Sequence, residues 1–227
     1  PSVSVVLSSM AIACKAIHAM GTDHYFSASP SSSGDARSSF DFVVDSTTLH
    51  VATDRGVFSR KGLDAGTEVL LDAVPRPPTH GTLLDLGCGT GAIAMAMAVR
   101  SPTATVYGVD VNERALQLCR LNARTNGLTN VVCANPTEVP TDLRFDTIWS
   151  NPPIRIGKTE LHHLLSSWLT RLAPGATAWL VVNRNLGADS LSVWLTERRC
   201  DVERVTSKRG FRVLGVTPTP AADLSRP

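Results

Sequence analysis

The stretch Thr82-Leu83-Leu84-Asp85-Leu86-Gly87-Cys88-Gly89-Thr90-Gly91 decides the fold. A short apolar run of strand length passes through three glycines into the Ala- and Met-rich segment 92–100, which reads as a helix. Glycines at such a junction let the backbone turn tightly and approach a ligand closely. The spacing is G-x-G-x-G, and residue 92 is Ala, so the third glycine comes one position too early for a dinucleotide fingerprint. No Gly-Lys-Ser/Thr follows, which excludes a Walker loop.

Outward from this junction, short apolar runs alternate with longer amphipathic segments. Strands are expected at Thr82–Leu86, Thr105–Val109, Val131–Cys133, Phe145–Trp149 and Ala176–Val182. The intervening helices are expected at Ala92–Arg100, Glu113–Thr125, Glu160–Leu172 and Ser190–Arg198. Alternation of this kind implies a parallel sheet with helices on both faces. The last two runs, Asp201–Thr206 and Phe211–Val216, are separated only by Ser207-Lys208-Arg209-Gly210. That gap is too short for a parallel crossover, so the two pair as an antiparallel hairpin.

Toward the N-terminus, Phe40–Val44 and Thr48–Ala52 flank the turn Asp45-Ser46 and read as a second hairpin. A helix over Asp64–Val74 follows, stopped by Pro75, Pro77 and Pro78. Ser27–Ser39 is a Ser-rich loop, and residues 1–22 read as an extension outside the fold. Residues 23–217 then form a single domain, with 23–80 as hairpin and helix, 81–217 as the core, and 218–227 as a tail.

Composition agrees with one core. The 227 residues are 43% hydrophobic, too rich for a disordered chain and too few for two full domains. No apolar run reaches the ~18 residues of a membrane span. Cys14, Cys88, Cys119, Cys133 and Cys200 include no C-x-x-C pair, which argues against structural zinc or a disulfide framework and for a reducing, cytoplasmic compartment. His162-His163 has no accompanying ligand pattern, so no metal is expected.

Asp85 would repel a phosphate but suits a ligand bearing an ammonium group. Asp110, at the end of the next strand, can accept two hydrogen bonds from ribose hydroxyls, though such a residue also serves as a helix cap. Asn135, after the third strand, offers an amide to an adenine edge. Ammonium, ribose and adenine together describe S-adenosylmethionine better than NAD.

The fourth strand ends in Ser150-Asn151-Pro152-Pro153-Ile154-Arg155-Ile156-Gly157-Lys158. Consecutive prolines stiffen this loop and fix where the Asn151 side chain and the Pro152 carbonyl point. Two acceptors on the N–H groups of a planar exocyclic amine would hold it against a methyl donor.

These residues resemble the class I S-adenosylmethionine-dependent methyltransferases, and within them the small-subunit ribosomal RNA guanine-N2 methyltransferases and their single-domain archaeal relatives. The resemblance also rests on Asp23-His24-Tyr25-Phe26-Ser27, Gly56-Val57-Phe58-Ser59, Leu63-Asp64-Ala65-Gly66-Thr67 and Lys208-Arg209-Gly210-Phe211-Arg212-Val213-Leu214. It implies a seven-stranded Rossmann-like sheet, mostly parallel with an antiparallel C-terminal strand, plus the N-terminal hairpin. It implies that Asp85, Gly87, Cys88, Gly89, Gly91, Asp110, Val111, Asn135 and Thr67 bind the cofactor. Asn151, Pro152, Pro153 and Ile154 would form the catalytic loop. Phe58, Arg155, Lys158, Lys208, Arg209 and Arg212 would contact RNA, the last five as cations for phosphates. Ile154 stands where many amino-methylating relatives carry an aromatic, so stacking on a base would fall to Phe58 or Phe211, each equally readable as core.

The expected substrate is ribosomal RNA. Transfer RNA, a protein amide, a small-molecule amine, or a non-catalytic role as an RNA-binding assembly factor are the alternatives. Charge division supports RNA: residues 1–150 carry 11 basic and 14 acidic side chains, whereas residues 151–227 carry 11 and 6.

Overall fold

The computed structural model describes residues 38–54, 62–153, 156–220, 222 and 224. The two N-terminal strands are β1 (Ser38–Val44) and β2 (Thr47–Thr53), paired antiparallel around Asp45, whose φ of 54° closes the turn. They are followed by α1 (Ala65–Ala73), β3 (Thr82–Leu86), α2 (Ala92–Arg100), β4 (Thr105–Val109), α3 (Glu113–Thr125) and β5 (Val131–Ala134). The second half comprises β6 (Phe145–Ser150), α4 (Lys158–Leu169), β7 (Leu172–Asn183), α5 (Ala188–Glu197), β8 (Cys200–Lys208) and β9 (Phe211–Pro218).

Seven strands form one sheet in the order β5-β4-β3-β6-β7-β9-β8. Only β9 runs against its neighbours, which makes β8 parallel to β7 and brings the turn between β8 and β9 to the carboxyl edge of the sheet. Strand side chains alternate between two cores. Leu83, Val106, Trp149, Val181 and Val213 pack with α1, α2 and the N-terminal hairpin. Leu84, Leu86, Ile148, Leu180 and Leu214 pack with α4 and α5. Such placement follows from right-handed crossovers, because the chain walks outward from β3 to β5 and then reverses direction at β6.

Two elements depart most from expectation. The helix expected over Glu160–Leu172 runs Lys158–Leu169, and the strand expected over Ala176–Val182 runs Leu172–Asn183. Leu172 already pairs with Phe145 in the ladder. Pro174 and Gly175 (φ 77°) interrupt the sequence pattern inside the strand, where a register shift lies. Among the described residues no helix is long and apolar enough to cross a membrane, and no group of His, Cys, Asp and Glu could hold a metal ion.

Candidate active site

Strand order reverses between β3 and β6, which are hydrogen-bonded neighbours. Ligands of open α/β sheets bind at that crevice, beyond the carboxyl ends of the strands. Here the glycine loop leaves β3 and the Asn151 loop leaves β6. The two strand ends are tied together by the buried Ser150 hydroxyl, which donates to the Leu86 carbonyl at 2.7 Å.

On the β3 side, the Gly87 and Cys88 amides donate to the Val109 carbonyl at 2.8 and 3.0 Å. Gly89 N–H donates to Asp110 Oδ2 at 2.9 Å, and the other Asp110 oxygen accepts from Asn112 N–H at 2.9 Å. Asp110 thus clips the loop, and burial holds its carboxyl above the usual range. All three glycines have positive φ, but their surroundings differ. A Cβ on Gly89 would meet nothing within 4 Å, whereas one on Gly91 would lie 2.5 Å from Cys119 Sγ. Gly89 therefore borders open space while Gly91 is a packing contact beneath the loop. Cys88 is buried and packs with Cys119 and Leu116, as befits a spacer.

Asp85 is fully buried. Its Oδ2 accepts from Ala94 N–H at 2.9 Å, and its Oδ1 has no partner. Burial pushes its pKa up to about 8, against the Ala94 bond and with a smaller push from Asp110. An orphaned carboxylate oxygen under a glycine loop fits the ammonium group of S-adenosylmethionine. Val111 is 40% exposed, an apolar surface beside Asp110 suited to a flat ring. Asn135 caps the short helix Pro136–Glu138: its side-chain oxygen accepts from Thr137 N–H, and Glu138 reaches back to its backbone. Its oxygen is therefore committed locally, and only the NH2 end of the amide is left to meet an adenine.

On the β6 side, Asn151 Nδ2 donates to Asp64 Oδ1 at 2.7 Å and to Thr67 Oγ1 at 3.2 Å. Asp64 is also the N-cap of α1, accepting from Gly66 and Thr67 N–H. A carboxylate accepts only, so it dictates which end of the Asn151 amide faces it. Asn151 Oδ1 and the Pro152 carbonyl are left without a donor among the described residues, so the loop presents two free acceptors. Thr67, expected at the cofactor, is 6% exposed and serves here as a partner of Asn151.

The expected RNA-facing cations divide. Lys208 and Arg209 do emerge at the carboxyl edge, but they pair with Asp72, at 3.2 Å, and Glu68 of α1. Arg212 pairs with Asp189 of α5. Strand alternation explains this, since the neighbouring Phe211 packs toward Gly66 of α1 and sends Arg212 to the opposite face. Lys158 opens α4 just past the Asn151 loop. Phe58, Ile154 and Arg155 lie outside the described residues.

Residues 48–215 match the family described as methyltransferase small domain. The chain belongs to the methyltransferase small domain family. It is 33% identical to an uncharacterised protein, YbxB, of Bacillus subtilis over 85% of this chain and 97% of that one. It is 35% identical to ribosomal RNA small subunit methyltransferase C of Shewanella amazonensis over 63% of this chain, a match that spans only 42% of that protein. Among solved structures, the Thermus thermophilus 16S rRNA N2 G1207 methyltransferase, in complex with AdoMet and guanosine, superposes with a TM-score of 0.67 at 22% identity. That superposition covers 81% of this chain and 51% of the other. A Pyrococcus furiosus methyltransferase gives 0.61 at 18% identity, over 75% and 90%. The seven-stranded, mostly parallel fold expected from the sequence is thus present.

Two residues of the methyltransferase site escaped the sequence reading. Asp64 was legible as the start of a helix and within the Leu63–Thr67 motif of the resemblance, but its bond to Asn151, 87 positions away, was not. Ser150 was legible only as the end of a strand.

Asp85 also makes the ligand-free methyltransferase sensitive to pH. The carboxyl ionises near 3.8 when unfolded and near 8 when folded, so between these values the folded state alone holds the proton. Stability is fully present below about pH 4 and falls as pH rises to about 8, by on the order of 5 kcal/mol from this group alone. Denaturant titrations at pH 5, 6.5 and 8 should show the fall, and Asp85→Asn should reduce it. Saturating S-adenosylmethionine should flatten it as well, because an ammonium beside the carboxylate favours ionisation. An unchanged slope with the cofactor would place the ammonium elsewhere.

Proposed function

We propose that this methyltransferase modifies an exocyclic amine of an RNA base, with guanine N2 in ribosomal RNA as the preferred target. The observation that carries this reading is the Asn151 amide, whose Nδ2 is held by Asp64 and Thr67, so that its Oδ1 would be left, with the Pro152 carbonyl, to accept from a substrate. An aromatic exocyclic amine has two N–H donors and a lone pair delocalised into its ring. Two acceptors on those donors fix the amine and favour localisation of the lone pair on nitrogen as the bond to carbon forms. The site works by positioning and preorganised electrostatics.

Asp85 would hold the cofactor's ammonium, Asp110 its ribose hydroxyls, and Val111 with Asn135 its adenine. When bound, S-adenosylmethionine supplies a methyl group made electrophilic by the adjacent sulfonium. The proton left on the methylated nitrogen departs to solvent, and no side chain of shifted pKa is required to take it. The names borne by the curated relatives and the excess of basic residues after position 150 support an RNA acceptor.

The test is transfer of a tritiated methyl group into separate pools of ribosomal RNA, transfer RNA and protein. Label in ribosomal RNA, recovered as N2-methylguanosine after nuclease digestion, is the expected result. Label confined to transfer RNA or protein would refute the assigned substrate. No label in any pool, with cofactor binding absent, would favour the assembly-factor reading.

A further inference from the structure

Asn122 of α3 and Asn126, the residue that caps its C-terminus, stand one turn apart and face β2. Asn122 accepts from Ala52 N–H at 2.8 Å and returns an Nδ2 hydrogen to Ala52 C=O at 3.0 Å. Asn126 does the same for His50, at 2.8 Å in both directions. Four residues of helix rise ~6 Å and two residues of strand rise ~6.8 Å, so asparagines at i and i+4 can imitate a neighbouring strand. The edge of the hairpin is thereby satisfied by two side-chain amides, and an ion pair from Arg114 to Asp54 extends the same seam.

The two asparagines differ in one respect. The second Nδ2 hydrogen of Asn122 goes to the Thr90 carbonyl in the glycine loop, at 2.9 Å, whereas that of Asn126 returns to the Asn122 carbonyl of its own helix at 2.8 Å. Asn122 is 1% exposed, so neither Thr90 O nor Ala52 O finds water in its place without rearrangement. Asp110 holds the loop from one side through Gly89 N–H, and Asn122 holds it from the other through Thr90 O.

We infer that Asn122 is a positioning residue for the methyl donor: it keeps the glycine loop in its ligand-accepting shape by anchoring that loop to the docked hairpin. The inference rests on the assignment of the loop to S-adenosylmethionine. Asn126 supplies an internal control, since it makes the same hairpin contacts without touching the loop.

The experiment compares the full chain with Asn122→Ala, Asn126→Ala and Asp110→Ala. It reads S-adenosylmethionine affinity by calorimetry, KM and kcat, thermal unfolding, and deuterium exchange over residues 87–91. Both asparagine variants should lower the melting temperature. Only Asn122→Ala should weaken donor binding, by about tenfold, the equivalent of one well-made hydrogen bond. Its kcat at saturating donor should stay within about twofold, and of the two asparagine variants only this one should quicken exchange in the loop. Asn122→Asp preserves the acceptor for Ala52 N–H but has no donor for Thr90, and should weaken donor binding at least as much, which covers the case of poor folding in Asn122→Ala. Equal effects of Asn122→Ala and Asn126→Ala on donor affinity would reduce Asn122 to hairpin docking and overturn the inference. So would the absence of any effect in Asn122→Ala while Asp110→Ala weakens binding. If Asp110→Ala also binds normally, the assignment of the loop itself falls, and the inference with it.

Discussion

Asn151→Ala should lower kcat by about 10²–10³-fold while S-adenosylmethionine affinity stays within about twofold of the parent. In the proposed reading the side chain is one of two acceptors for the target amine, and among the described residues none of its hydrogen bonds runs to the glycine loop. Its amide bonds run to α1, through Asp64 and Thr67. Single-turnover transfer and calorimetric titration of the cofactor separate the two quantities. Near-normal turnover would refute the role assigned to the amide. Asp64→Ala should show a smaller form of the same defect. Loss of the carboxylate frees the Asn151 amide to turn over, so kcat should fall about tenfold, the worth of one charge-assisted hydrogen bond. The same substitution removes the N-cap of α1 and should cost about 1 kcal/mol of stability.

Gly91→Ala and Gly89→Ala should fail for different reasons, although they lie in one loop. Gly91 has a φ of 85°, and an added Cβ would sit 2.5 Å from Cys119 Sγ and 3.3 Å from the Cys119 backbone. The strained backbone and the overpacked contact together should cost about 3–5 kcal/mol, lowering the melting temperature by roughly 10 °C or more. Gly89 has a φ of 53° but open space around the added carbon. Its Ala variant should lose only about 1 kcal/mol, yet bind S-adenosylmethionine at least about tenfold more weakly, because the methyl group enters the space beside the loop. A thermal melt and a cofactor titration on each variant distinguish the two defects. Equal stability losses would contradict the packing role of Gly91.

Most of the fold was legible because its signals are local. β3, β4, α2 and α3 lie where apolar run length and amphipathic period place them. The antiparallel pairing of β8 with β9 was legible because the gap at 207–210 leaves no room for a crossover. The start of β7 was hidden because Pro174 and Gly175 read as a break, yet Leu172 finds a ladder partner in Phe145 across the sheet. Candidate site residues divide along the same line. Asp85, Asp110 and Asn151 were legible because each ends a strand at the edge where ligands gather. Asp64 and Asn122 were not, since their bonds span 87 positions in one case and 32 and 70 in the other. The cations at 208, 209 and 212 could be read from sequence as charges, but their acidic partners on α1 and α5 are set by tertiary packing.

The bond between Ser150 and Leu86 has a geometric corollary. Donor loop and acceptor loop hang from two adjacent strands whose ends are fastened together, so their separation is inherited from the sheet ladder. Changes in the surrounding loops leave that gauge intact. In the proposed reading, the distance over which a methyl group would travel is therefore set by the sheet and not by loop sequence.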